Sequence, residues 1–347
     1  MTTAEGHIAT DQRSVPATVD QPEDSGPVSL WGSFASLSAK ASWLALVAHI
    51  MAMLFALGGI LYVIPNIVKV LADNPGAADI YNFGMNYGGA THMILGAIAV
   101  FAMGVVVLGL RRTTLFFVLA YLISASSELV GTSTGWPFGN YSYTDYLGYR
   151  LVDHVPFTIP LSWFYMGMTS YFLARLIVWM IGHRLSSNAR EATTILIGGY
   201  LVVVWDLVLD PAMAHDTLVV RFWEWHVEGA YFGMPVQNYV GWLFTAVLFM
   251  GLGRLSWNGG IVPSRIPVML PVIIYASNIA FASALSLSVG LWVPIVLCVA
   301  LILLPAVIAW SIRRAHPPVE RPFTRSQVSP GILTDAQPRG AEIMSRR

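Results

Sequence analysis

The sequence contains a single cysteine, Cys298, which lies within an apolar run. An internal disulfide needs two cysteines and a cysteine metal cluster needs more, so both are excluded. Charged residues are scarce too: they make up 11% of the 347 residues, and the formal net charge is zero. Because no basic block lies outside the terminal segments, we do not expect nucleic acid as a partner.

Several catalytic signatures are missing as well. The chain has no P-loop, no GxSxG motif and no dinucleotide-binding fingerprint. The histidines His92, His154, His215 and His226 stand apart from one another, not in the HxxxH and HxxHH clusters of membrane oxygenases and desaturases. We therefore expect no metal and no other cofactor.

Hydrophobic residues are abundant, at 56% of the chain. They fall into apolar runs of about 20 residues, the length that crosses the hydrocarbon core of a bilayer. This pattern predicts an all-α, polytopic transmembrane bundle of about eight spans, in which Gly290 alone separates the last two. The predicted spans are residues 43–65, 91–110, 114–131, 157–181, 193–210, 238–253, 266–289 and 291–312.

Basic residues predict the topology. In the eight-span arrangement one side carries Arg13, Lys40, Arg111, Arg112, Arg184, Arg190, Arg254, Arg265 and seven arginines from Arg313 to Arg347. Under the positive-inside rule both termini are cytoplasmic. We therefore expect a multi-pass protein of the plasma membrane with three parts: a disordered polar tail over 1–40, a transmembrane catalytic domain over 41–312, and a basic cytoplasmic tail over 313–347.

Acidic residues collect at the opposite end of the spans. Asp206 and Asp210 are four residues apart and share a helix face. An ionisable group within a span costs at least roughly 2.5 kcal/mol unless it is paired or hydrated, so neither should face lipid. Glu128, near the end of the third span, and Asp153, before the fourth, complete the candidate catalytic carboxyls. The alternatives are that Asp210 merely ends its helix before Pro211 while Asp206 bonds to a neighbouring span, that Glu128 is a packing carboxylate, and that Asp153 serves a turn.

Aromatic residues alternate with these acids in the connecting segments. That mixture is typical of a concave, mostly apolar pocket with a few placed polar groups, although tryptophan and tyrosine also gather at membrane surfaces. The candidate substrate-binding residues are Trp136, Phe138, Tyr141, Trp163, Trp205, Trp225, Asn238 and Trp242.

Carboxyls among aromatics suit carbocation chemistry. A carboxyl group in a water-poor pocket can remain protonated and donate its proton to an alkene. Aromatic faces stabilise the resulting cation, and an ionised carboxylate can position water and take its proton. The Asp206–Asp210 spacing is also similar to the magnesium-binding motifs of prenyltransferases, but those enzymes use two such motifs with basic residues nearby.

Four stretches carry a family resemblance: "ELVGTSTGWPFGNYSYTDYLG", "VPFTIPLSWFYM", "VVWDLVLDPAM" and "WEWHVEGAYFGMPVQNYVGW". They resemble the signature stretches of the membrane-embedded carotenoid hydratase family. The resemblance implies cofactor-independent addition of water across the terminal C1'=C2' double bond of a linear carotenoid, lycopene-like or a C50 bisanhydro compound, in contact with membrane lipid.

The division of roles comes from the chemistry and not from the resemblance. We expect one aspartate of the Asp206–Asp210 pair to donate the proton, and Glu128 to orient water with Asn238 or Tyr141. The alternatives are another isoprenoid-modifying enzyme, such as a carotenoid cyclase or a prenyltransferase-like elongase, and a non-catalytic transporter of lipid or ions.

Overall fold

A computed structural model of the protein describes residues 30–181, 185–257 and 265–315. Helices dominate this part of the chain. Their bounds are α1 (Leu30–Gly58), α2 (Ile67–Asp73), α3 (Ala77–Leu108), α4 (Leu110–Thr134), α5 (Thr158–Ile181), α6 (Ser187–Met213), α7 (Val236–Leu255), α8 (Met269–Ser288) and α9 (Val293–Ala315). Eight helical segments are long and apolar enough to cross a membrane, which confirms the predicted number of spans.

The first two spans are longer than predicted. A π-helical turn at Gly59–Val63 and a 3-10 turn at Ile64–Asn66 join α1 to α2, so one continuous segment runs from Ala35 to Asp73. Helix α1 already begins at Leu30, and residues 30–40 of the predicted disordered tail are therefore helical. No proline interrupts the helix there. The rest of that tail and residues 316–347 lie outside the described residues.

The two last spans are separated as predicted. Helix α8 ends at Ser288 and α9 begins at Val293. Gly290 has a φ of +81°, a left-handed conformation that glycine adopts without steric cost. The Leu291 N–H donates to the Ser286 carbonyl oxygen at 2.8 Å and closes the turn.

Helix α5 lies at the centre of the bundle and contacts α3, α4, α6, α7, α8 and α9. Its side chains are buried along most of its length, including Trp163, Tyr165, Tyr171 and Phe172. Helix α9 is peripheral, since only 11% of its most apolar stretch is buried. A helix that is apolar all round and buried by its neighbours is the expected core of a membrane bundle.

An ion-pair cluster ties together three helices at the end of the bundle that we predict to be cytoplasmic. The Glu191 carboxylate at the start of α6 contacts Arg175 of α5 at 3.1 Å and Arg254 of α7 at 3.0 Å. Arg175, which the sequence places within a span, therefore has a carboxylate partner, as a buried charge requires.

Two short antiparallel ribbons cover the other end. Strand β1 (Tyr141–Tyr143) pairs with β4 (Trp223–Trp225), and β2 (Arg150–Leu151) pairs with β3 (Val155–Pro156). The all-α prediction did not include them. Pairing of β1 with β4 joins the α4–α5 connection to the α6–α7 connection, so both lie at the same end of the bundle.

Helix α6 continues past Pro211 to Met213, so the alternative that Asp210 ends this helix is wrong. Proline has no N–H, and the carbonyl of Leu207, four residues earlier, loses its helical donor. The Tyr231 hydroxyl donates to this Leu207 oxygen at 3.1 Å instead. Because a loop side chain satisfies the carbonyl, the helix can carry Asp210 one full turn beyond Asp206.

Candidate active site

Glu128 lies near the end of α4 and is 2% exposed. Its Oε2 atom accepts hydrogen bonds from the hydroxyls of Tyr141 and Tyr143, the latter at 2.8 Å, and its Oε1 atom accepts one from the Trp163 indole at 2.8 Å. Three donors from two segments, β1 and α5, hold the carboxyl group in one orientation. Such a group is better fixed than simple helix packing requires.

Asp206 and Asp210 lie one turn apart on α6, and both are buried. The Asn238 side-chain amide, in the first turn of α7, donates to Asp206 Oδ2 at 3.0 Å and to Asp210 Oδ2 at 2.7 Å. The indoles of Trp223 and Trp225 donate to Asp210 Oδ1 at 2.5 and 3.3 Å. We expected Asn238 or Tyr141 beside Glu128: Tyr141 bonds Glu128, whereas the Asn238 amide bridges the two aspartates.

The ribbon of β1 and β4 supplies donors to both carboxyl centres. Side chains alternate between the faces of a strand, and Tyr141 and Tyr143 of β1 therefore share a face, as do Trp223 and Trp225 of β4. The tyrosines bond Glu128 and the tryptophans bond Asp210. Tyr141 is paired with Trp225, and their ring centroids are 5.0 Å apart. Two strands about 4.8 Å apart thus hold the two acid centres in a fixed relation.

A glycine lets this ribbon approach α4. Gly131 lies one turn beyond Glu128, and a Cβ atom there would stand 2.7 Å from the Phe138 ring and 3.2 Å from the Tyr141 hydroxyl oxygen. Any side chain at this position would push Tyr141 away from Glu128. The glycine is therefore part of the geometry of the carboxyl site.

Both acid centres face one cavity. Its walls are aromatic: the rings of Trp163 and Trp242 have centroids 4.2 Å apart, and Trp205 and Phe138 flank them. Glu128 and Asp210 line the cavity directly, whereas Asp206 reaches it through Asn238. Among the described residues, every hydrogen-bond donor to the three carboxyls is a neutral hydroxyl, indole or amide.

The two tyrosines of β1 are buried, and this burial raises the pKa of each well above its usual value. The nearby Glu128 carboxyl raises the pKa of each tyrosine further. Both hydroxyls therefore remain protonated at neutral pH and act as donors to Glu128.

Two of the predicted site residues lie away from the cavity. Trp136 is 57% exposed and packs on Phe244. Asp153 is exposed in the turn between β2 and β3, where Val152 and Asp153 both have positive φ, as a tight hairpin turn requires. This position agrees with the alternative that Asp153 serves a turn.

Comparison with known proteins identifies the family. The family of carotenoid biosynthesis proteins matches residues 88–305, a stretch that contains both acid centres and all four signature stretches. The chain belongs to the carotenoid biosynthesis protein family. Bisanhydrobacterioruberin hydratase from Haloarcula japonica is 36% identical over 146 residues, which are 41% of this chain and 46% of the relative. The match therefore spans less than half of that relative's length. No solved structure matches the chain.

The membership confirms the family resemblance drawn from the sequence. In this carotenoid biosynthesis protein several residues that line the cavity were not among the predicted site residues. They are Tyr143, Trp223, His92, Tyr165, Asn278 and Phe281. A signal existed for two of them. The stretches YSY and WEW alternate aromatic and polar residues, a period of two that indicates a half-buried strand. The other four lie on helices that gave no sign of facing a cavity.

Proposed function

We propose that the chain is a carotenoid hydratase that adds water across the terminal C1'=C2' double bond of a linear carotenoid and leaves a tertiary alcohol. The observation that carries this proposal is the shared aromatic cavity with Glu128 on one side and the Asp206–Asp210 pair on the other. Family membership and the hydratase name of the Haloarcula japonica relative support the same chemistry.

The aspartate pair is the proton donor in this proposal. Two carboxyls bridged by one amide, with no cation bonded to them among the described residues, hold one proton between them. Asp210 lines the cavity and delivers the proton to C2'. Asp206, which reaches the cavity only through Asn238, positions Asp210 and shares its proton.

Protonation at C2' places the positive charge on C1', a tertiary carbon. The faces of Trp163, Trp205 and Trp242 stabilise this cation through their quadrupoles. Glu128, held by its three donors, orients a water molecule whose oxygen bonds to C1', and accepts the proton that the water releases. Each cycle removes one proton from the aspartate pair and adds one proton to Glu128. A proton returns from Glu128 to the aspartate pair before the next cycle.

The substrate in this proposal is a linear carotenoid, lycopene-like or a C50 bisanhydro compound, and no cofactor takes part. The site lies at one end of eight membrane spans, where a carotenoid dissolved in the bilayer of the plasma membrane can reach it from the lipid. The cavity's aromatic lining suits a hydrocarbon end group.

Expression in a lycopene-producing bacterial host tests the function. The pigments should gain the mass of one water for each end that reacts. Purified protein in detergent should give the same product without added metal, nucleotide or reductant, and in heavy water deuterium should appear at C2'. A pigment of unchanged mass with a new ring would indicate a cyclase, and unchanged pigment a carrier. Activity abolished by a chelator and restored by magnesium would favour the prenyltransferase-like alternative.

A further inference from the structure

A second cavity lies between α1 and α3. We call it the lateral groove and define it by Phe55, Gly59 and Tyr62 on one wall and Ile80, Gly84 and Gly88 on the other. Tyr62 and Ile80 are largely exposed at its rim, on surface that faces lipid in a membrane-spanning segment. The groove therefore opens sideways into the bilayer.

The lateral groove exists because its walls carry little side-chain volume. On α1 the regular helix gives way to the π-helical turn at Gly59–Val63, next to Gly58. On α3, Gly88 is buried, yet a Cβ atom built there would have no heavy atom within 4 Å. A buried position with open space in front of it faces a cavity and not a packed neighbour.

The lining of the lateral groove selects a hydrocarbon. Among the described residues that line it, none is aspartate, glutamate, lysine or arginine. An ion or a diphosphate would lose its hydration there without compensation. An apolar chain has no hydration shell to lose when it moves from lipid into this groove.

The lateral groove also meets the carboxyl cavity. His92, Met213 and Phe281 line both spaces. These three side chains form the boundary between the two spaces, so a long molecule whose end lies between Glu128 and Asp210 would continue past them to lie between α1 and α3.

We infer that the lateral groove holds the polyene chain of the substrate while its end group lies in the carboxyl cavity. This inference rests on the proposed function for the identity of the substrate. The occupant is the apolar body of a linear carotenoid, which enters from the bilayer between α1 and α3. The groove makes binding depend on substrate length, and the carboxyl cavity makes reaction depend on the end group.

Gly88→Leu tests the inference because it adds side-chain volume to the lateral groove at a position where a Cβ atom has no heavy atom within 4 Å. Gly251→Leu on α7 is the matched control: its Cβ position is also free of neighbours, and Gly251 lines neither space. Each protein is purified from a lycopene-producing host, and lycopene bound per protein is measured by absorbance. Turnover is then measured with lycopene and with myrcene, a short open-chain isoprenoid with the same dimethylvinyl end.

Gly88→Leu should bind at least about tenfold less lycopene and lose lycopene turnover, because overpacking a filled site is costly. Its myrcene turnover should stay within about twofold of the wild-type value, since the short chain does not reach the groove. Gly251→Leu should match wild type in every measurement. Wild-type lycopene binding by Gly88→Leu, or equal losses with lycopene and myrcene, would overturn the inference, as would a wild-type protein that binds no lycopene. A wild-type protein that binds lycopene, loses it on Gly88→Leu substitution and hydrates nothing would support the groove and remove the hydratase function.

Discussion

At the scale of single residues, the three carboxyl groups differ in how they are held. Glu128 and Asp210 each accept three hydrogen bonds from side chains. Asp206 accepts one, from Asn238, and its Oδ1 atom is buried without a hydrogen-bond partner among the described residues. Hydrogen bonds to a carboxylate favour its charged form. Asp206 therefore holds the shared proton at rest, and Asp210, which lines the cavity, delivers it to C2' in the proposed reaction.

Amide substitutions separate an acid-base role from a packing role. Asp206→Asn, Asp210→Asn and Glu128→Gln keep size and hydrogen-bonding capacity but cannot exchange a proton. We expect Glu128→Gln and at least one aspartate variant to lose about 10² to 10⁴ in turnover while inserting and purifying normally, because that is the usual contribution of general acid-base catalysis. Pigment analysis measures turnover, and the yield of purified protein measures insertion and folding.

Asp153→Asn is the control for these variants, since Asp153 is exposed and lies outside the cavity. It should hydrate at the wild-type rate. Wild-type turnover in all three amide variants would place the proton donor elsewhere. Poor yield with normal turnover in the surviving protein would indicate a structural carboxylate.

Tyr143→Phe removes one donor from Glu128 while the ring remains. A hydrogen bond to a charged group is worth about 1.5–3 kcal/mol, so we expect turnover to fall roughly 10- to 100-fold.

Because burial raises the pKa of Tyr143 well above its usual value, its proton stays in place as the pH rises to the usual tyrosine value of about 10. Wild type and Tyr143→Phe should therefore have the same alkaline pH profile. A wild-type loss of activity near that pH that vanishes in the variant would contradict this.

At the scale of elements, Pro211 and Tyr231 act together to extend α6. Tyr231→Phe leaves the Leu207 carbonyl without its donor, which should cost about 1–3 kcal/mol of stability. In a Pro211→Ala background the new N–H can bond this carbonyl, so the same substitution should cost less. Thermal unfolding of the four proteins of this double-mutant cycle measures the difference. Equal costs in the two backgrounds would show that Tyr231 does not replace the missing helical donor.

The elements also show what the sequence could predict. The spans follow from apolar runs, and the shared face of Asp206 and Asp210 follows from their spacing, so both were accessible. The pairing of β1 with β4 was not, because it joins residues far apart in the chain. That pairing places the tyrosines of β1 at Glu128 and the tryptophans of β4 at Asp210. It also explains why Trp225 reached the cavity while Trp136, in an equally aromatic stretch, packs outside it.

At the scale of the whole molecule, most acids of the described residues lie at one end and most arginines at the other. Arg150, Arg221 and Glu191 are exceptions, and each pairs with a residue of opposite charge. The ribbon of β1 and β4 places the connections α4–α5 and α6–α7 at the end that carries the three carboxyls. The cluster of Arg175, Glu191 and Arg254 lies at the other ends of α5, α6 and α7. Two residues that are separated by an odd number of spans lie on opposite sides of the membrane. Two residues that are separated by an even number of spans lie on the same side.

The positive-inside rule assigns the arginine-rich end to the cytoplasm. A reporter fused after Arg347 should therefore be cytoplasmic, and one inserted near Asp216 should lie outside, since Asp216 follows the C-terminal end of α6 on the acidic side. A pair of reporters that respond on opposite sides, such as a fluorescent protein and alkaline phosphatase, measures both positions. The control is an insertion after Arg190, at the other end of the same helix, which should be cytoplasmic. A cytoplasmic signal near Asp216 would reverse the orientation, and the water consumed by the proposed reaction would then come from the cytoplasmic side.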